Sequence, residues 1–305
     1  MEGNMANILE VKHLDKSFGR KKVLHDINFT VQKGRIVGLV GPNGAGKSTI
    51  MKTVLGLTGF SKGEILVEGQ NVTATKHASL EHVGALIEYP GIYPFLSGLD
   101  HLKLFATGDD QQQRIDEVVT ELRMTKYIKR KAKSYSLGMK QKLGIALALI
   151  NHPHFIVLDE PMNGLDPESN KDLRNIITKL AQNGATILIS SHILSELEKL
   201  VDDVLVIDKG RIVSQSSMQA LTDKGKKYLV IKSADDEHAK QLLSEAGYTL
   251  GEGSDVRILA EDNQKLMPIL KLFVDNDIEI LDIQHQQSDL ETSLLALLAD
   301  DQLTE

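Results

Sequence analysis

The chain has 305 residues, 41% of them hydrophobic and 25% charged, with no cysteine and a formal net charge of −7. That balance suits a globular chain with room for two domains and excludes a disulfide framework or a thiolate zinc site. The acidity is uneven: residues 1–220 hold 27 Lys/Arg against 24 Asp/Glu, net +3, and residues 221–305 hold 8 against 18, net −10, which argues against nucleic acid as a partner.

In chain order, Met1-Glu2-Gly3-Asn4-Met5 has neither the basic nor the apolar region of a secretory signal. The first 70 residues predict strands and hairpins. Ile27, Phe29 and Val31 alternate, as do Ile65 and Val67, and Gly34, Gly63 and Gly69 mark the turns. Between them the apolar run Ile36–Val40 leads into Gly41-Pro42-Asn43-Gly44-Ala45-Gly46-Lys47-Ser48, which fits G-x-x-x-x-G-K-[ST] at every specified position. Ile50, Met51, Val54 and Leu55 then form a helical stripe.

A strand that ends in a glycine-rich loop opening a helix aims backbone N–H groups and the positive end of the helix dipole at one spot. A nucleoside triphosphate, ATP or GTP, is the expected occupant. Gly41 to Ser48, with Thr49 beside them, would cradle its phosphates; Lys47 would reach the β- and γ-phosphates, and the Ser48 hydroxyl would bind the shared Mg²⁺.

The middle of the chain reads as helical, with Ile115, Val118, Val119 and Leu122 at i, i+3, i+4, i+7. From Phe155 to Val213 short strands alternate with amphipathic helices, the pattern of a largely parallel α/β sheet. Ile193, Leu194, Leu197 and Leu200 give one of these helices its buried face. No stretch reaches the roughly 18 apolar residues of a membrane span; the longest candidate, 143–158, is broken by Asn151-His152-Pro153-His154.

In Phe155-Ile156-Val157-Leu158-Asp159-Glu160 four apolar residues precede two carboxylates at the C-terminal end of a predicted strand, where ligands of such sheets bind. Asp159 is expected to hold Mg²⁺. Glu160, pointing elsewhere by strand alternation, suits a general base for attack on the γ-phosphate.

The segment 215–225 reads as a linker. Beyond it a second unit follows, with strands at 228–231, 256–259 and 278–283, a helix ending at Gly247, another that starts or kinks at Pro268, and a terminal leucine stripe of Leu290, Leu294, Leu297 and Leu298.

Together these motifs resemble the nucleotide-binding subunit of an ATP-binding cassette (ABC) transporter. Tyr135-Ser136-Leu137-Gly138-Met139-Lys140-Gln141 is similar to the family's signature loop, and Gly164-Leu165-Asp166-Pro167 to its D-loop. His192, after a Thr186–Ser190 strand, resembles the switch histidine, and Phe18 the aromatic residue that stacks on adenine.

The resemblance covers residues 8–213. It implies an α/β P-loop NTPase with a mixed sheet core, an N-terminal antiparallel β part and a helical subdomain at about 88–150. A nucleotide-binding domain over 1–220 would be followed by a small α+β domain over 226–305. It also implies head-to-tail pairing of two such subunits, in a homodimer or a heterodimer, around ATP and Mg²⁺. Ser136, Gly138 and Asp166 would then face the partner's nucleotide, and His192 would help Glu160 hold the attacking water. A separate permease would place the chain at the cytoplasmic face of the membrane, with Tyr89, Tyr93 and Phe95 as contact area.

One position departs from the family. Most relatives place a glutamine near Mg²⁺ and the attacking water where this chain has Glu88. A carboxylate keeps the acceptor oxygens, loses two donors and adds a negative charge. Glu88, the following Pro-Gly-Ile-Tyr-Pro run, the signature variant and the acidic C-terminal domain are similar to ATPase subunits of bacitracin-resistance and lantibiotic self-protection exporters. That resemblance implies catalytic and metal-site roles for Glu88 and export of antimicrobial peptides. An importer subunit with a regulatory C-terminal domain and a non-transport ABC ATPase are the alternatives.

Overall fold

The computed structural model describes residues 6–76, 78–223, 227–251, 253, 255–259 and 266–287. The chain divides into two compact units, residues 1–218 and 219–305.

In the first unit β1 (Asn7–Phe18) and β2 (Lys21–Gln32) form an antiparallel hairpin. After β3 (Ile36–Val40), strands β4 (Lys62–Val67) and β5 (Gln70–Asn71) extend that hairpin into a sheet of order β2-β1-β4-β5. The alternating Ile27, Phe29, Val31, Ile65 and Val67 all point inward and are buried, as period-2 patterning requires of a half-covered sheet.

The second sheet has the order β10-β9-β3-β8-β7-β6. Its remaining strands are β6 (Val83–Leu86), β7 (Phe155–Leu158), β8 (Thr186–Ser191), β9 (Asp203–Asp208) and β10 (Arg211–Ser217). All pairs are parallel except β9–β10. β3, β7 and β8 are buried along their whole length, which explains their unbroken apolar runs. Because these strands are parallel, the residues that follow β3, β6, β7 and β8 arrive at one carboxyl edge.

The helices of this unit are α1 (Lys47–Val54), α2 (Gly98–Phe105), α3 (Gln111–Glu121), α4 (Leu137–Leu149), α5 (Pro167–Gln182) and α6 (Leu194–Leu197); α7 (Met218–Asp223) begins at its last residue. The predicted stripes on α1 and α3 are buried. The predicted helix at 193–200 is shorter than its stripe: Ile193 is extended, although Leu194, Leu197 and Leu200 are buried. No helix among the described residues is long and apolar enough to cross a membrane.

Ahead of α2 the backbone of one segment is stitched to another. Ala132 N–H donates to the Leu96 carbonyl at 2.8 Å and Lys133 N–H to the Pro94 carbonyl at 2.9 Å. Tyr93 and Phe95, half or more exposed, lie on this segment. Ser97 then caps α2 in a reciprocal box with Asp100.

The polar 215–225 segment is not a linker throughout. Its first three residues complete β10, paired with β9, where an edge strand tolerates Ser and Gln. The next six form α7.

The second unit contains β11 (Lys227–Ser233), α8 (Asp236–Glu245), β12 (Val256–Leu259), α9 (Leu266–Asp275) and β13 (Ile280–Gln287), with sheet order β12-β11-β13 and antiparallel pairing throughout. Pro268 sits in the first turn of α9, where its missing N–H breaks no helical bond. Ile231, Leu243, Val256, Ile258, Ile269 and Phe273 form a separate core. The leucine stripe at 290–298 lies outside the described residues.

Candidate active site

The glycine-rich loop leaves β3 at the carboxyl edge. Gly41 runs so close to β9 that a Cβ there would stand 2.1 Å from the Ile207 carbonyl oxygen. Gly44, at the crest, has φ +83 and nothing within 4 Å of where a side chain would begin. That backbone suits glycine and leaves room for close approach.

Gly46 is the N-cap of α1, yet no side chain caps the helix and its first turn holds no acidic residue. Its leading N–H groups and positive dipole end therefore lack a side-chain anion, as a phosphate site requires. Lys47, 6% exposed, donates to the Gly41 carbonyl at 2.7 Å and the Pro42 carbonyl at 3.3 Å, and lies 3.3 Å from Glu160 Oε1.

Asp159 and Glu160 follow β7. Asp159 is buried, and its Oδ1 accepts from the Ser190 hydroxyl at 2.7 Å. The same hydroxyl oxygen accepts the Glu160 N–H at 2.8 Å. Glu160 Oε2 lies 2.6 Å from His192 Nδ1, which comes from the end of β8. Glu160 thus joins Lys47 and His192.

The two adjacent carboxylates diverge as expected, but not through strand alternation: Glu160 has left the strand and adopts φ +48. Ser190 was not predicted to take part. Its sequence signal is slight, a hydroxyl near the end of an otherwise apolar run.

Glu88 follows β6 and also has a left-handed backbone, φ +59. Its Oε1 pairs with Lys52 Nζ at 2.5 Å. Ser48, Glu88, Gln141, Asp159, Glu160 and Gly164 line one cavity of about 340 Å³, within the range of ordinary ligand pockets. Serine hydroxyl and carboxylate oxygens are the hard donors Mg²⁺ takes, usually with substrate phosphates completing the shell. Ser48 and Asp159 fit that set.

A larger cleft of about 1160 Å³, lined by residues of α3 and the C-terminal end of α5, contains none of these groups. Its Glu117 and Glu121 are paired with His152 at 3.5 Å and Lys179 at 3.0 Å. Chemistry, not size, selects the smaller cavity.

The remaining predicted residues lie outside this cavity's lining. Ser136 caps α4, its hydroxyl accepting from Met139 N at 3.3 Å. Gly138 lies against Ser169, whose Oγ would stand 3.2 Å from a Cβ there. Asp166 caps α5, accepting from the Ser169 N–H at 2.9 Å and its hydroxyl at 2.7 Å. These bonds hold the Asp166 carboxyl below its ordinary pKa. Phe18 is exposed at the end of β1, with the Lys16 ammonium 4.4 Å from its ring centroid.

Two contacts tie the 135–141 segment to its surroundings. Gln141 Nε2 donates to the Pro161 carbonyl at 3.0 Å. Tyr135, buried, donates its hydroxyl to the Tyr127 carbonyl at 3.0 Å, and burial raises its phenol pKa.

Comparison with known proteins gives the same reading. The family model described as ABC transporter matches residues 24–163. The chain is 35% identical to the bacitracin transport ATP-binding protein BcrA of Bacillus licheniformis, over 96% of this chain and 98% of that one. It is 42% identical to the lantibiotic transport ATP-binding protein SrtF of Streptococcus pyogenes, over 68% of this chain and 89% of that one. A solved ATP-binding subunit of an ABC transporter superposes with a TM-score of 0.65 at 30% identity, covering 71% of this chain and 92% of that one. With its glycine-rich loop, strand-end carboxylates and His192 gathered at one sheet edge, the chain belongs to the ATP-binding subunits of ABC transporters, a family of ATPases.

Proposed function

We propose that this chain powers a separate membrane permease that expels membrane-acting peptides of the bacitracin or lantibiotic type. The observation that carries the reading is the reach of the likeness to a bacitracin transport protein. It extends through nearly the whole chain, including the acidic second unit. Glu88 in place of the family's usual glutamine supports the same subgroup.

In this reading the backbone from Gly41 to Thr49 cradles the triphosphate, Lys47 moves from the Gly41 carbonyl onto the phosphates, and Phe18 stacks on the base. Ser48 and Asp159 would hold Mg²⁺, with Glu88 beside them; the ion offsets phosphate charge when bound. Glu160 takes the proton of the attacking water, and His192 orients its carboxylate and reaches the γ-phosphate. Ser136 and Gly138, at the N-terminus of α4, serve the nucleotide of a second subunit, and Asp166 lies at that same contact. Two subunits close around two nucleotides and part after hydrolysis.

The test is a strain lacking the transporter. Sensitivity to bacitracin or a lantibiotic, reversed by the intact gene but not by a Glu160→Gln copy, is expected. Unchanged sensitivity across a panel of such peptides refutes the substrate class.

A further inference from the structure

We propose that Lys52 is a positioning residue for hydrolysis: it is the counter-ion that allows a carboxylate to work at position 88, so that Lys52 and Glu88 act as one neutral unit. The inference rests on the ATP-hydrolysis reading of the cavity.

Three carboxylates, Glu88, Asp159 and Glu160, line this cavity together with Ser48. Each has a partner. Asp159 has the Ser190 hydroxyl, Glu160 has Lys47 and His192, and Glu88 has Lys52. Lys47 is committed to the phosphates in the proposed reaction, so it cannot also offset the charge that Glu88 adds. Lys52 can. It stands four residues after Ser48 on α1, hence one turn along the same helix face.

Glu88 is also held where that ammonium can reach it. Just before it, the Leu86 carbonyl accepts the Asp159 N–H at 2.8 Å. Just after it, Pro90 packs on Gly144 of α4, where a Cβ would meet Pro90 at 2.7 Å. With its backbone pinned on both sides in a left-handed turn, Glu88 stays in the lining of the cavity that would receive the phosphates. Its charge must be balanced in place. An amide at position 88 would need no such partner.

The test is a double-mutant cycle on ATP hydrolysis by the full-length protein, with Mg²⁺ titrated at each point. Lys52→Met should lower kcat or raise the Mg²⁺ requirement by about tenfold, the lower end of what loss of a partner beside a metal site typically costs. Lys52→Arg should retain activity. Adding Glu88→Gln to Lys52→Met should return the rate to that of Glu88→Gln alone, a rescue that a purely structural lysine would not show. If Lys52→Met fails to fold, Lys52→Gln takes its place in the cycle. No loss on neutralising Lys52, or an equal loss with Glu88 and with Gln at that position, overturns the inference. Glu160→Gln, measured in parallel, separates the two claims: if it hydrolyses ATP normally, the reading of the site itself falls.

Discussion

The Ser190 hydroxyl donates to Asp159 Oδ1 at 2.7 Å, joining the strand-end carboxylate to the neighbouring strand. Because the same oxygen accepts the Glu160 N–H, one hydroxyl holds both the Asp159 carboxylate and the main chain of Glu160. Ser190→Ala removes both bonds without adding bulk. Groups that orient metal-binding carboxylates typically matter by 10–100-fold in metal affinity or activity. The Mg²⁺ concentration for half-maximal ATP hydrolysis should rise by about tenfold or more, and titrating Mg²⁺ against the rate checks it.

Glu160 lies between Lys47 and His192, and an amide there can no longer take a proton. Glu160→Gln should lower kcat by about 10²–10⁴ while ATP still binds. Phosphate release and equilibrium binding of a fluorescent ATP analogue separate the two effects.

Gly84 of β6 packs against α4, and a Cβ there would stand 2.0 Å from the Ala148 carbonyl oxygen. Backbone, unlike a side chain, cannot rotate away. Gly84→Ala should destabilise the protein by about 1–3 kcal/mol, the usual effect of overpacking. Denaturant unfolding measures it, and an unchanged midpoint would contradict the close packing.

Asp166 gives a pH prediction. The Ser169 N–H and hydroxyl hold its carboxyl below the ordinary 3.8. A folded-state pKa lower than the unfolded one contributes stability above the unfolded value, and that contribution disappears as pH falls through the folded value. Asp166→Asn keeps a capping oxygen but does not titrate. The variant should therefore lose less stability than the parent on going from about pH 5 to pH 2, as followed by unfolding midpoints across that range.

Local grammar carried most of the fold and the outline of the site. The phosphate loop, the strand-end Asp159-Glu160 pair and the buried stripes on α1 and α3 depend on spacings within a few residues. What the sequence could not disclose depends on distant pairs. Ser190 meets Asp159 from 31 residues away, and Lys52 meets Glu88 from 36. Each partner alone looks like an ordinary serine or a solvated lysine. The sign of φ at Glu88 and Glu160 was equally hidden, because a glutamate does not advertise a left-handed backbone as glycine does. At 215–225 composition marked the boundary between the two units, which falls at 218/219, but not the structure there: Ser and Gln on an edge strand look the same as Ser and Gln in a linker.

The stitching of Pro94 and Leu96 to Ala132 and Lys133 runs entirely through main-chain atoms. These bonds join the exposed aromatic segment to residues just ahead of Ser136 through amides that any residue but proline supplies at the donor positions. The side chains of Tyr93 and Phe95, which are exposed, can therefore change while the same two main-chain bonds hold the segment in place. The exposed side chains are free to vary without disturbing the backbone that carries them.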